Sequence, residues 1–376
     1  MKILLTGGGT GGHFYPLIAV AQELHIIAKE KKLLNSELYF MSDTPYNKGI
    51  LFDNGIEYVG VPTGKYRRYF SLLNFLDIFK TAYGIIYGFI RVFAIYPDII
   101  FSKGGYASFP ALFAAKILGI PVMIHESDTV PGKVNLWAGK FAKKIALSYP
   151  EAEGYFPNDK VAWTGNPIRK EITMAVDKKA QEFFDLEDIS PIILVLGGSQ
   201  GSELINNALL DALPKLLTSY QVIHQTGTKN IEEVSGTAKI ILGDNKYFSR
   251  YKPMEYLSPI ALRVAAGGAS LVITRAGSTL FEIAAWGVPA IVIPISSSNG
   301  DHQRKNAFAY ARTGAGIVIE ENNLTSEILL AQIESLMNDT LKREKMRSAA
   351  HAFAKHDAAR TIADAIINLA LTHEQE

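Results

Sequence analysis

Near the amino terminus, Gly7-Gly8-Gly9-Thr10-Gly11-Gly12 runs straight into His13, directly behind the apolar stretch Ile3-Leu4-Leu5. A strand followed by glycines and a helix builds an anion site, because unpaired N–H groups and the positive end of the helix dipole face whatever the glycines let approach. Phosphate or diphosphate is the natural occupant, and His13 adds a group able to take a proton near neutrality. Gly7, Gly9 and Gly12 also satisfy G-x-G-x-x-G, the fingerprint of a dinucleotide-binding sheet. That reading wants an acid about 20 residues further on, at the end of the second strand. Asp43, after residues 37–41, arrives later, and no dehydrogenase needs a histidine fused to the loop. A plain tight turn with His13 capping the helix is the remaining alternative.

Three further glycine-bearing turns follow apolar stretches: Lys103-Gly104-Gly105-Tyr106-Ala107-Ser108, Gly197-Gly198-Ser199-Gln200-Gly201-Ser202 and Arg275-Ala276-Gly277-Ser278-Thr279. Each precedes a helix start that offers backbone N–H groups, so one diphosphate site in each half of the chain is the economical reading. Glu282, on the helix opened by Ser278, suits a carboxylate accepting two hydrogen bonds from ribose hydroxyls, or simply an acid at a helix dipole. Residues 300–306, with Asp301, His302, Gln303, Arg304 and Lys305, offer amide and cationic groups to a sugar and a phosphate. His125 and Glu126 end a buried strand, and His125 reads as a satisfied structural histidine. No H-E-x-x-H, no metal-spaced acids and no G-x-x-x-x-G-K-[ST] occur, so metal and P-loop chemistry find no support.

The elements that must position these groups alternate. Apolar strand candidates lie at residues 3–5, 37–41, 58–61, 98–102, 121–125 and 144–147, with helical stretches between them, including one over residues 15–28. Such alternation predicts a parallel sheet covered by helices. The pattern breaks near residues 164–169 and restarts at Ile192-Ile193-Leu194-Val195-Leu196, with further strands at 221–224, 239–242, 270–274, 289–294 and 316–319. Two doubly wound, Rossmann-like α/β domains follow, with their strand-end loops expected to face each other across a cleft.

With 376 residues, 48% hydrophobic and 20% charged, the chain is long enough for two cores and ordinary for a soluble enzyme. A net charge of +1 gives no global drive toward nucleic acid, and zero cysteines remove disulfides and thiolate chemistry. The N-terminus opens on a core strand rather than a secretory signal, which favours the cytoplasm. Residues 66–97 are strongly apolar, but their uncharged part, residues 81–90, falls short of the about 20 residues that span a bilayer. A helix there carrying Phe70, Leu73, Phe75, Leu76, Phe79, Ile86 and Phe89 beside Lys65, Arg67, Arg68, Lys80 and Arg91 either lies on an anionic membrane surface or is buried.

Taken in order, Gly8-Gly9-Thr10-Gly11-Gly12-His13 with Pro16 and Ala19, Gly104-Gly105-Tyr106 with Ser108 and Pro110, His125-Glu126, Pro131-Gly132, Gly165-Asn166-Pro167-Ile168-Arg169, Gly197-Gly198-Ser199-Gln200-Gly201, Arg275-Ala276-Gly277-Ser278 and His302-Gln303 with Lys305-Asn306 resemble the MurG family of peptidoglycan N-acetylglucosaminyltransferases. The resemblance runs over nearly the entire chain. It implies a glycosyltransferase-B fold, no cofactor or metal, and transfer of N-acetylglucosamine from UDP-N-acetylglucosamine to an undecaprenyl-diphosphate-linked muramyl-pentapeptide at the cytoplasmic membrane face. It further implies that Thr10, Gly11 and Gly12 border the donor and that His13 is the base. Arg169, Ser199, Glu282 and Gln303 would bind the nucleotide-sugar, and Asn135 would approach the transferred sugar. Asp128 departs from the family, which often has Asn there. Domains would run over residues 1–165, facing acceptor and membrane, and 166–355, binding UDP-sugar, with a helix at 356–376 packing back on the first. A glycosyltransferase for another lipid, a UDP-N-acetylglucosamine 2-epimerase, or a non-catalytic nucleotide-sugar-binding protein would share much of this pattern.

Overall fold

The computed structural model describes residues 1–33, 36–64, 72–176, 179–198, 200–296 and 301–373, with 72–79 described as backbone. The chain forms two compact units, Met1–Arg169 with His356–Glu376, and Lys170–Lys355.

Among the described residues, unit 1 is built on a seven-stranded parallel sheet: β1 (Lys2–Thr6), β2 (Glu37–Ser42), β3 (Ile56–Gly60), β4 (Ile99–Ser102), β5 (Val122–Glu126), β6 (Lys144–Leu147) and β7 (Val161–Trp163), in the order β3-β2-β1-β4-β5-β6-β7. Unit 2 carries β8 (Ile192–Leu196), β9 (Gln221–Gln225), β10 (Tyr251–Met254), β11 (Ala269–Thr274), β12 (Ala290–Val292) and β13 (Gly316–Val318), in the order β10-β9-β8-β11-β12-β13. The central strands are continuous apolar runs because helices cover both faces: Ile3, Leu4 and Leu5 are fully buried, as are Ile193, Leu194 and Val195. In each sheet the strand order reverses beside the first strand of the unit, between β1 and β4 and between β8 and β11. Loops leaving the carboxyl ends there are the ones a doubly wound sheet offers to ligands.

The helix after β1 runs from Gly11 to Glu30, four residues ahead of the expected start. Its opening is fixed by the Thr10 carbonyl, which accepts from the backbone N–H of both His13 and Phe14, so the glycines and His13 form the first turn itself. Residues 239–242, expected as a strand, are the last turn of the helix Ile231–Leu242, whose buried Val234, Ala238 and Leu242 recur at helical spacing. β7 and β10 went unpredicted; both are short edge strands, and β10 holds Pro253, which only an edge tolerates. The helix Ala358–His373 completes unit 1: Ile362, Ile366 and Ile367 share one core with Leu17, Val20 and Leu24.

Over its described side chains, the helix Leu72–Ile95 turns two glycines and two aliphatic residues inward. Gly84, Gly88, Val92 and Ile95 are buried. A Cβ at Gly84 would fall 1.8 Å from the Pro62 carbonyl oxygen, and one at Gly88 would lie 2.8 Å from Pro110 Cβ. The opposite face carries Tyr83, Ile86, Ile90 and Phe93, exposed by 59%, 62%, 56% and 60%, while Tyr87 and Phe89 pack in part against the core. Among the described residues no helix is long and apolar enough to cross a membrane.

Candidate functional site

In unit 1, parallel pairing sets Thr6 opposite Ser102, so the glycine run after β1 and the Lys103-Gly104-Gly105 turn after β4 leave the sheet side by side. They touch: Gly105 has φ +84°, and a Cβ there would stand 3.0 Å from the backbone of Gly8. Only glycine lets the two loops meet this closely. His13 sits over the junction, partly buried, with Nδ1 3.0 Å from the Thr10 hydroxyl. Burial first, and then the positive charge of Lys103, hold His13 down to about 4, with Asp128 pulling the other way. The ring is thus neutral at physiological pH.

Beneath it lies a buried polar cluster. Lys103, 2% exposed, directs Nζ to His125 Nδ1 at 2.6 Å, Ser127 Oγ at 2.5 Å and Asn166 Oδ1 at 3.0 Å. His125 Nε2 donates to the Gly165 carbonyl at 3.0 Å, which leaves Nδ1 as the acceptor for Lys103. His125 is therefore the structural histidine its sequence position suggested, kept neutral by burial and then by Lys103. Glu126 accepts from the backbone N–H groups of Ser127, Asp128 and Gly132 and from Asn135 Nδ2, folding residues 126–132 around its carboxylate. Burial and then Asp128 push its carboxyl up to about 7 against these donors.

Asn135 is 2% exposed and donates to the His125 carbonyl and Glu126 Oε2, while its Oδ1 meets no hydrogen-bond partner among the described residues. Its amide thus holds the loop that carries Asp128. On the other flank Tyr106 donates to Asp43 Oδ2 at 2.7 Å, beside Gly9. Arg169, 6% exposed, stacks its guanidinium 4.0 Å above the Tyr15 ring. The structure therefore gathers Thr10, Gly11, Gly12, His13, Asn135 and Arg169 in unit 1. The Lys103 cluster and the Tyr106–Asp43 pair were not assigned from sequence. A lysine set between the end of a buried strand and two glycines was the available signal.

In unit 2 the corresponding junction joins Ser202 to the Arg275 turn. Ser202 caps the helix Glu203–Leu216 and accepts from Arg275 Nη2 at 2.6 Å. The same guanidinium donates to Glu321 Oε1 at 2.6 Å and to the Ile293 carbonyl at 3.1 Å. Glu321 in turn accepts from the Ser296 backbone N–H and hydroxyl, and these donors with Arg275 keep its carboxyl below the usual range despite burial. A cavity of about 270 Å³ opens beside Ser296, Arg304 and Glu321. Gln303 Oε1 accepts from the Ile295 backbone N–H at 3.1 Å, and Glu282 lies partly buried in the first turn of the helix Thr279–Trp286. Ser199 lies outside the described residues, as do Lys65, Arg67, Arg68 and Phe70 of the apolar stretch. Among the described residues, no three His, Asp or Glu side chains are grouped to hold a metal ion.

Residues 3–147 match the glycosyltransferase family 28 N-terminal domain, and residues 192–362 match the glycosyltransferase family 28 C-terminal domain. A protein of Halothermothrix orenii named UDP-N-acetylglucosamine–N-acetylmuramyl-(pentapeptide) pyrophosphoryl-undecaprenol N-acetylglucosamine transferase is 35% identical over 372 residues, 97% of this chain and 98% of its own. One of the same name from Bacillus cereus is 34% identical, covering 96% and 97%. Among solved structures, MurG of Acinetobacter baumannii superposes with a TM-score of 0.73 at 25% identity, covering 98% of this chain and 99% of that one. A UDP-GlcNAc 2-epimerase from Neisseria meningitidis, at 15% identity and TM-score 0.69 over 98% and 100%, shares the fold.

Proposed function

The chain belongs to glycosyltransferase family 28, and on that premise we propose that it moves N-acetylglucosamine from UDP-N-acetylglucosamine to an undecaprenyl-diphosphate-linked muramyl-pentapeptide, a step of peptidoglycan synthesis. Family membership makes it a hexosyltransferase of glycosyltransferase-B fold. The observation that carries the substrates is the full-length identity with transferases named for this reaction. The 2-epimerase reading has only the shared fold behind it.

The reaction is inverting: the donor sugar is α-linked and the product β-linked, so one in-line displacement joins them. As the acceptor hydroxyl oxygen bonds to the anomeric carbon, the bond from that carbon to the UDP diphosphate breaks and the hydroxyl proton passes to His13. A neutral imidazole is what this step needs, and His13 has one. In the tautomer that donates Nδ1–H to Thr10 Oγ1, Nε2 carries the free lone pair, and that is the one the step calls for. Gly11 and Gly12, in the same helical turn, border the sugar. Glu282 takes the ribose hydroxyls, and Arg169, Ser199 and Gln303 are assigned to the nucleotide-sugar. Charge on the departing diphosphate is met by helix N-termini and cations rather than by a metal ion. Asn135 acts by holding the Glu126 loop against the site.

The acceptor carries a long lipid, and the outward apolar row on the helix Leu72–Ile95 supports peripheral attachment to an anionic membrane surface at its cytoplasmic face. Incubation of labelled UDP-N-acetylglucosamine with the muramyl-pentapeptide diphosphate lipid, with diacylglycerol, and with no acceptor tests the assignment. Transfer to the first alone, undiminished by a chelator, is expected. Transfer to diacylglycerol, or donor epimerisation without acceptor, would overturn the substrate assignment, and loss in chelator restored by magnesium would overturn the metal-free mechanism.

A further inference from the structure

Among the described residues, Lys103 is a buried cation with no carboxylate within hydrogen-bond distance, Glu126 and Asp128 acting on it from further off. Its three neighbours, His125 Nδ1, Ser127 Oγ and Asn166 Oδ1, are neutral acceptors at 2.6, 2.5 and 3.0 Å, and they match the three protons of an ammonium. Two of these contacts would hold a loop as well with an uncharged donor, so anchoring alone does not call for a charge. The position sets Lys103 beside His13: an atom placed as a Cβ on Gly7 would lie 3.4 Å from both Lys103 Cβ and His13 Cβ. We propose that Lys103 is a positioning residue for the transfer, whose buried side chain ties the β4, β5 and 164–166 segments together beneath His13 and acts on that ring as a neighbouring charge.

The surrounding charges make this a balance. His13 faces Lys103 from the end of β4, His125 and Asp128 from the end of β5, and, across Gly8 and Gly9, Tyr106 with its partner Asp43. Arg169 stands over Tyr15 on the same helix, and Glu126 lies behind Asp128. Asp128 favours a protonated ring and Lys103 opposes it. Burial brings Lys103 itself down to about 7. Between pH 7 and 4, where an ordinary histidine would gain its proton, Lys103 is therefore the ammonium, and the opposition is present where it is needed.

The proposal rests on His13 being the base, and two readouts separate the questions. Titration of the labelled His13 imidazole by NMR, with no substrate present, reads the charge coupling; the pH profile of kcat/KM reads catalysis. In Lys103→Met both the ring titration and the acid limb should rise by about one pH unit, the size of a single neighbouring charge. A ring that titrates as in the parent would overturn the role of Lys103, leaving it a structural anchor. A ring that moves while the acid limb stays would overturn the link to transfer, because His13 would not be the base. Should Lys103→Met not fold, Lys103→Gln, which keeps a donor and drops the charge, is read in the same way. In the parent, a His13 ring titrating at or above 6.5 would also refute the proposal.

Discussion

Replacing Ile86 and Phe93 together by serine should detach the protein from vesicles of anionic lipid while leaving its chemistry intact. The two side chains are 62% and 60% exposed on the outward row of the helix Leu72–Ile95. Burying a whole side chain of this size contributes about 1.5–3 kcal/mol. Scaled to the exposed part, each should contribute roughly 1–2 kcal/mol to membrane binding, and the pair about 3 kcal/mol. At 1.4 kcal/mol per tenfold, the partition coefficient should fall roughly a hundredfold. The inward glycines stay untouched, so the melting temperature should hold, exposed substitutions costing within about 0.5 kcal/mol. Cosedimentation with vesicles measures the partition, and transfer to a long-chain acceptor in those vesicles should slow while transfer to a short soluble analogue persists. A partition coefficient within threefold of the parent would refute the docking assignment. Equal loss with both acceptors would place the row in the folded core or the catalytic machinery instead.

His13→Ala should lower turnover by about 10² to 10⁴, the share of a positioned base, with donor affinity nearly unchanged; turnover within a few-fold of the parent removes His13 from that role. Glu282→Ala should raise the Michaelis constant for the donor far more than it changes the maximal rate, since ribose contacts act in ground and transition states alike. Undiminished inhibition by UDP in that variant would show that Glu282 does not hold the ribose. Acid should destabilise the fold through its buried histidines: His13 is held at about 4, His224 at about 3 by burial, and His125 well below the usual range. The unfolded chain binds these protons first, so stability is full above about 6.5 and is lost as pH falls toward 4. Thermal melts at pH 7, 5.5 and 4.5 check this, and a midpoint that holds steady would contradict neutral burial.

The doubly wound sheets were legible because buried parallel strands are written as unbroken apolar runs, as in Ile192–Leu196, and the glycine turns behind them mark where strands end. His13 was legible because its glycines are contiguous with it. Lys103 was not, because nothing local tells whether a lysine after Ser102 points to water or to His125, Ser127 and Asn166, which lie 22, 24 and 63 residues away. The outward apolar row was half legible. Apolar residues alone leave burial and membrane docking equally open, and which of them face inward depends on Gly84 and Gly88 packing against Pro62 and Pro110. Residues 239–242 misled because a short apolar run reads alike in both periods.

The return of the helix Ala358–His373 to the first unit has a consequence for biogenesis. Its Ile362, Ala363, Ile366 and Ile367 fill the core against Leu17, Val20, Leu24 and Ile27, and Arg360 pairs with Glu30 at 2.6 Å. Residues 17–27 thus wait for residues made more than three hundred positions later. During synthesis the second unit, contiguous over Lys170–Lys355, has all its sequence available before the first does. The long loop closure forms late, and until then the part of the helix Gly11–Glu30 that Ala358–His373 covers stays open to solvent and to chaperones. The turn that carries His13 opens that same helix, so His13 is held in its final packing only after residues 358–373 have been made.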